Sequence, residues 1–147
     1  MKKAFTLIEL LFVVVVIGVL ASIILYGLGS SKSKERDVQR KDDLQQIKAS
    51  LELYYADQKP SSYKIQTTPV PINAVNTGLT QNYIKNIPVD PRGNNPYLYV
   101  TNAAGTGFAV FAALENTSDP DIKSDAEPAV GNKPVSSAYN YFVENTN

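Results

Sequence analysis

Cysteine is absent from the 147 residues, which excludes a disulfide, a thiolate nucleophile and lipid attachment through a thiol. Histidine is absent too, removing the commonest general base and a favoured metal ligand. Neither sign of charge is in excess, with 14 Lys and Arg against 14 Asp and Glu, so nothing suggests an extended nucleic-acid surface. No nucleophile–base pairing and no phosphate-binding glycine loop is visible, which makes an enzyme the weakest reading. One stretch has almost no charge at all. From Phe5 to Leu28 the only ionisable side chain before Tyr26 is Glu9.

That stretch is the longest apolar block in the chain. About 24 residues rise about 36 Å as a helix, enough to cross a hydrocarbon layer of about 30 Å. Sixteen Phe, Leu, Ile and Val residues lie between Phe5 and Leu25. On an insertion scale they contribute about −5 to −9 kcal/mol, and Glu9 subtracts about 3 kcal/mol if central, less near the interface. The helix inserts despite its acid. An ordinary secretory signal is excluded, because the apolar run greatly exceeds about 7–15 residues and no small-x-small site clearly ends it.

Glu9 reads either as an acid reaching the headgroups or as one partner of a charge pair inside hydrocarbon. The residues around it favour the second reading. Lys3-Ala4-Phe5-Thr6-Leu7-Ile8-Glu9-Leu10, behind Lys2, resembles the cleavage and methylation signal of type IV pilins and type II secretion pseudopilins. The resemblance implies cleavage by prepilin peptidase between Ala4 and Phe5, N-methylation of Phe5, and pairing of Glu9 with that amine on a neighbouring subunit. One departure is Ala4 where the family usually has glycine, which implies slower processing. Losing Lys2 and Lys3 would leave 12 basic side chains against 14 acidic.

The family also resolves orientation. Lys32, Lys34, Arg36, Arg40 and Lys41 follow the apolar run and outnumber Lys2 and Lys3, so a simple positive-inside count would invert the chain. The resemblance implies the amino terminus inside, a single pass through the inner membrane, and the remainder outside. Many pilins close a C-terminal loop with a disulfide, which this chain cannot do.

The expected organisation is a leader at 1–4, a transmembrane and assembly helix at 5–29, an amphipathic continuation at 30–58, and a globular connector and sheet at 59–147. Gly27 and Gly29 weaken helix propensity where family members often carry a proline, leaving either a bend there or a continuous helix. Leu44, Ile47, Leu51, Tyr54 and Tyr55 fall at helical spacing and form one apolar stripe. The mixed-sign run Lys32 to Asp43 reads most simply as a solvated face, or as one that meets neighbouring subunits, with Asp37 and Lys41 as an i,i+4 pair. Lys59-Pro60-Ser61-Ser62 ends the helix.

Pro69, Pro71, Asn73, Asn76 and Gly78 read as an irregular connector. Asn82 to Tyr97 carries Pro88, Pro91 and Pro96 with Gly93, enforcing turns. This stretch resembles the segment preceding the sheet in the major pseudopilin, where its expected role is to seat sheet on helix. Leu98–Thr101, Phe108–Leu114 and Tyr139–Val143 read as antiparallel strands, the last at an edge, with a hairpin loop at Asn102–Thr106. Phe108, Val110 and Ala112 should share a face, with Phe111 opposite. The fold class is therefore α+β, a long helix packed on a small antiparallel sheet.

Asp119, Asp121 and Asp125 place hard oxygen ligands at short spacing, as calcium requires, although no EF-hand pattern surrounds them. The resemblance implies calcium, since major pseudopilins carry it in their C-terminal loop, but their surrounding motif is not reproduced here, and a solvated acidic loop is the preferred reading. No other cofactor is expected. Asn116-Thr117-Ser118 is formally a glycosylation sequon and carries little weight in a pilin-like chain.

The leading function is a structural subunit that polymerises into a type II secretion pseudopilus supporting protein secretion. Its expected partners are copies of itself or related pilins, prepilin peptidase, an inner-membrane assembly platform, and lipid before assembly. The filament would be periplasmic or extracellular. A type IV pilus subunit for adhesion, motility or DNA uptake shares the same amino terminus. A membrane-anchored binding domain that never polymerises is the alternative from another class.

Overall fold

The computed structural model describes residues 6–75, 79–123, 126–136 and 138–146, with side chains at 25–30, 80 and 81 left aside. One helix dominates: α1, Leu7–Asp57, 51 residues long and so about 76 Å from end to end. Thr6 caps it, its Oγ1 accepting from the Glu9 amide at 3.3 Å. Gln58 ends it in extended conformation, its amide donating to the Tyr54 and Tyr55 carbonyls. The helix runs unbroken past Gly27 and Gly29, so of the two readings this structure has the continuous helix.

The two ends of α1 have opposite fates. Leu7–Ile24 is 18 residues of apolar helix with none of it buried, long and apolar enough to cross a membrane. Its one polar side chain besides Glu9, Ser22, donates to the Gly18 carbonyl at 2.8 Å and so needs no outside partner. Further along, Leu44, Ile47 and Leu51 are fully buried against the sheet, with Tyr54 and Tyr55 at the margin. The expected stripe is the face that docks.

The sheet is a four-stranded antiparallel meander ordered β1 (Val70–Pro71), β2 (Leu98–Thr101), β3 (Gly107–Ala112), β4 (Tyr141–Thr146). Three strands lie close to where sequence patterning put them: β2 matches, β3 stops at Ala112 rather than Leu114, and β4 runs Tyr141–Thr146 rather than Tyr139–Val143. The fourth is a correction. The connector carries the two-residue edge strand β1, a short 3-10 turn at Ile72–Ala74 and the helix α2, Leu79–Asn82. Two residues are too few to show alternation, and Pro71 is tolerated because β1 is an edge strand.

Every residue of β3 is buried, because both faces of the sheet are covered. Phe108, Val110 and Ala112 meet α1, while Ala109 and Phe111 join Val100, Phe142 and Tyr139 on the other side. Phe111 and Phe142 are direct cross-strand partners with ring centroids 5.5 Å apart. The segment 126–136 helps cover that second face. Gly131 has φ +71°, and a Cβ there would lie 2.6 Å from Val100 Cγ2. Only glycine lets this backbone lie so close to the sheet.

Candidate assembly site

The amino-terminal part of the site is simple. Thr6 and Glu9 occupy the N-cap and N3 positions, the spacing of a capping box, so an acid one turn into α1 also suits the positive end of the helix dipole. Glu9 and the apolar side chains beside it are exposed, Leu7 by 84% and Ile8 by 74%. A surface this apolar demands cover from lipid or from other helices. Ala4 and Phe5, the proposed cleavage junction, lie outside the described residues.

The second part lies where the helix leaves its apolar half and meets the domain. Arg40 is 2% exposed, the largest buried charged side chain among the described residues. Its Nε donates to Asp90 Oδ2 at 2.6 Å, and its Nη1 donates to Asp37 Oδ1 and Glu115 Oε1, each at 2.8 Å. Glu115 also takes a two-pronged contact from Arg36, at 2.8 and 2.6 Å, and a longer one from Arg92 at 3.3 Å. Three arginines thus face three carboxylates, and the cluster is neutral. Asp37 does more than balance charge, since its two oxygens accept the amides of Glu115 and Asn116 at 2.9 and 2.8 Å. The exit from β3 is thereby tied to the helix.

Burial alone would push the Arg40 proton off; hydrogen bonds to Asp90, Glu115 and Asp37 outweigh it and raise the pKa above the ordinary arginine value. The Glu115 carboxyl is held at about 2, first by the Arg36 hydrogen bond and also by Arg40. Beside this cluster Tyr97 donates to Asp43 Oδ2 at 2.6 Å. Burial raises the pKa of both Asp43 and Tyr97. Among the described residues, no buried side-chain nitrogen or oxygen lacks a hydrogen-bond partner.

These contacts correct the reading of Lys32 to Asp43 as a solvated face. Asp37, Arg40 and Asp43 are buried, and Asp37 pairs with Arg40 rather than Lys41. The missed signal is spacing. Asp37, Arg40, Leu44, Ile47 and Leu51 follow each other at three- and four-residue steps, so the charged pair simply extends the apolar stripe. The turn segment has its expected seating role. Asp90 pairs with Arg40 through one oxygen, and its other oxygen caps the Arg92 amide at 2.9 Å. Gly93, at φ +72°, closes that turn with its amide on the Asp90 carbonyl at 2.8 Å.

The acidic loop is held by a side chain. Lys41 Nζ donates to Asp119 Oδ1 and to Asp121 Oδ2, both at 2.6 Å, and sits 5.8 Å from the centre of the Tyr141 ring. Asp125 lies outside the described residues. Among the described residues, no group of three or more acidic side chains is placed to hold a metal ion.

A long helix, apolar on every side at one end and half-sunk in a small antiparallel sheet at the other, defines an α+β pilin-like fold. Comparison with known proteins narrows the class. Residues 1–25 match the prokaryotic N-terminal methylation motif. Type II secretion system core protein G of Pseudomonas aeruginosa is 30% identical over 141 residues, covering 89% of this chain and 94% of that one. The same-named protein of Escherichia coli K12 is 31% identical over 119 residues, 76% of this chain and 81% of its own length. That of Vibrio cholerae is 32% identical over 109 residues, 68% and 71% of the two chains. No solved structure matches the chain. The chain belongs to the family of type II secretion system core protein G, the major pseudopilins.

Proposed function

We propose that this pseudopilin is cut between Ala4 and Phe5 by prepilin peptidase, methylated on the new Phe5 amine, and polymerised from the inner membrane into a secretion pseudopilus. The observation that carries this reading is the wholly exposed apolar helix Leu7–Ile24 with one acid near its start. Lipid covers that surface before assembly, and neighbouring helices cover it afterwards. The relatives are named for secretion rather than for a pilus, which supports the secretion reading. The family also points to a structural subunit rather than an enzyme.

Glu9 supplies the register in this proposal. Cleavage leaves a cationic amine on Phe5 beside an apolar filament core, where an isolated charge is costly. Glu9 stands four residues after Phe5 in sequence, in the first turn of α1. Pairing across subunits satisfies both charges only at the correct stagger. Losing one partner of such a buried pair costs about 3–5 kcal/mol, against about 0–1 kcal/mol for a solvated pair. Glu9→Leu, expressed without the native copy, should therefore insert in the membrane yet yield no sheared filaments by electron microscopy. Normal filament yield would overturn the pairing. Intact mass of envelope protein should show methylated Phe5 as the first residue, and Met1 retained in assembled material would refute processing.

A further inference from the structure

We infer that Lys41 is a built-in cation for the C-terminal acidic loop, taking the place of a calcium ion and making this domain independent of calcium. The Lys41 ammonium lies 2.6 Å from one oxygen of Asp119 and 2.6 Å from one oxygen of Asp121. Calcium binds oxygens at about 2.3–2.6 Å, so an ion bridging the same two oxygens would need the space the ammonium holds. Calcium also wants about 6–8 oxygens. Here Asp119 Oδ1 is already used twice, accepting Lys41 Nζ and the Asp121 amide at 2.9 Å. A divalent ion added beside Lys41 would meet its positive charge at close range.

The lysine is placed to do a staple's work. It comes from the docked half of α1, rests near the Tyr141 ring of β4, and reaches the loop 78 and 80 residues later in the chain. Its own side chain is 22% exposed and that of Asp119 14%, so the Asp119 pair is shielded more than an ordinary surface bridge. The loop is anchored on either side of these contacts. Asp37 holds the Glu115 and Asn116 amides, and the Lys123 amide donates to the Asn140 carbonyl at 2.6 Å. Ile122 packs onto the core between them. One ammonium therefore links helix, loop and edge strand.

The test uses the full chain in detergent micelles, melted in a calcium chelator and in millimolar calcium chloride. The wild-type midpoint should be the same in both, because a ligand that does not bind the folded state cannot stabilise it. Lys41→Met, which keeps the aliphatic stem, should melt about 4–8 °C lower in the chelator. The same substitution in an Asp119→Asn/Asp121→Asn background should change little, since the pairing is already gone. A wild-type midpoint raised by calcium would overturn the inference. So would a Lys41→Met midpoint equal to wild type, or an equal loss in both backgrounds.

Discussion

Arg40 shows how much one residue can organise when it is buried with its partners. The guanidinium binds Asp37 on its own helix, Asp90 in the proline-rich turn and Glu115 at the end of β3. It joins three segments that are distant in sequence. Truncating it would strand two nearly fully buried carboxylates, and breaking one partner out of such a cluster costs about 3–5 kcal/mol. Arg40→Ala should therefore lower the stability of the full chain by about that amount in a denaturant titration, whereas Arg92→Ala, whose side chain is 54% exposed, should change it by less than about 1 kcal/mol. Equal effects would mean that the cluster is no stronger than a surface network.

Among the elements, the segment over the second face of the sheet depends most on local geometry. Gly131 combines a left-handed backbone with a close approach to Val100, and Val130 beside it is buried. Gly131→Ala would impose both a strained φ and a contact that must give way. We expect a loss of about 1–3 kcal/mol, read as a lower melting midpoint. The docked face of α1 offers a comparison. Leu51→Ala leaves a cavity at a 1% exposed site and should cost about 2–5 kcal/mol. Neither substitution touches the apolar half of α1, so both variants should still fractionate with membranes.

At the scale of the whole molecule, pH acts through how the charged groups are held. Glu115 sits at about 2 against an ordinary 4.5, and Asp119 is lowered as well, chiefly by its hydrogen bond from Lys41. A lowered carboxylate contributes its full stabilisation above its unfolded value and loses it as pH falls through the folded one. Asp43 has the opposite sign: burial raises it, so acidification relieves rather than costs. Two lowered groups against one raised should make the domain less stable at about pH 3 than at about pH 6. Glu115→Gln should flatten that dependence while lowering stability at neutral pH. An unchanged slope would show that Glu115 does not govern acid sensitivity.

Much of this architecture follows from sequence pattern alone. An apolar run with Glu9 as its one acid is long enough to span a membrane, three-and-four spacing of Leu44, Ile47 and Leu51 puts them on one face, and alternation from Phe108 to Ala112 splits a strand between two sides. These are local periodicities, so neighbouring residues are enough to read them. The motif around Phe5 and Glu9 was legible for the same reason. What pattern could not determine was where the charges between Lys32 and Asp43 go. Spacing puts Asp37 and Arg40 on the line of the apolar stripe, but it does not say which groups they meet there. The partners Asp90, Glu115, Asp119 and Asp121 lie 50 to 80 residues away. Only the packed fold brings them within hydrogen-bond reach, so tertiary structure alone decided which carboxylates Arg40 meets and that Lys41 holds the acidic loop.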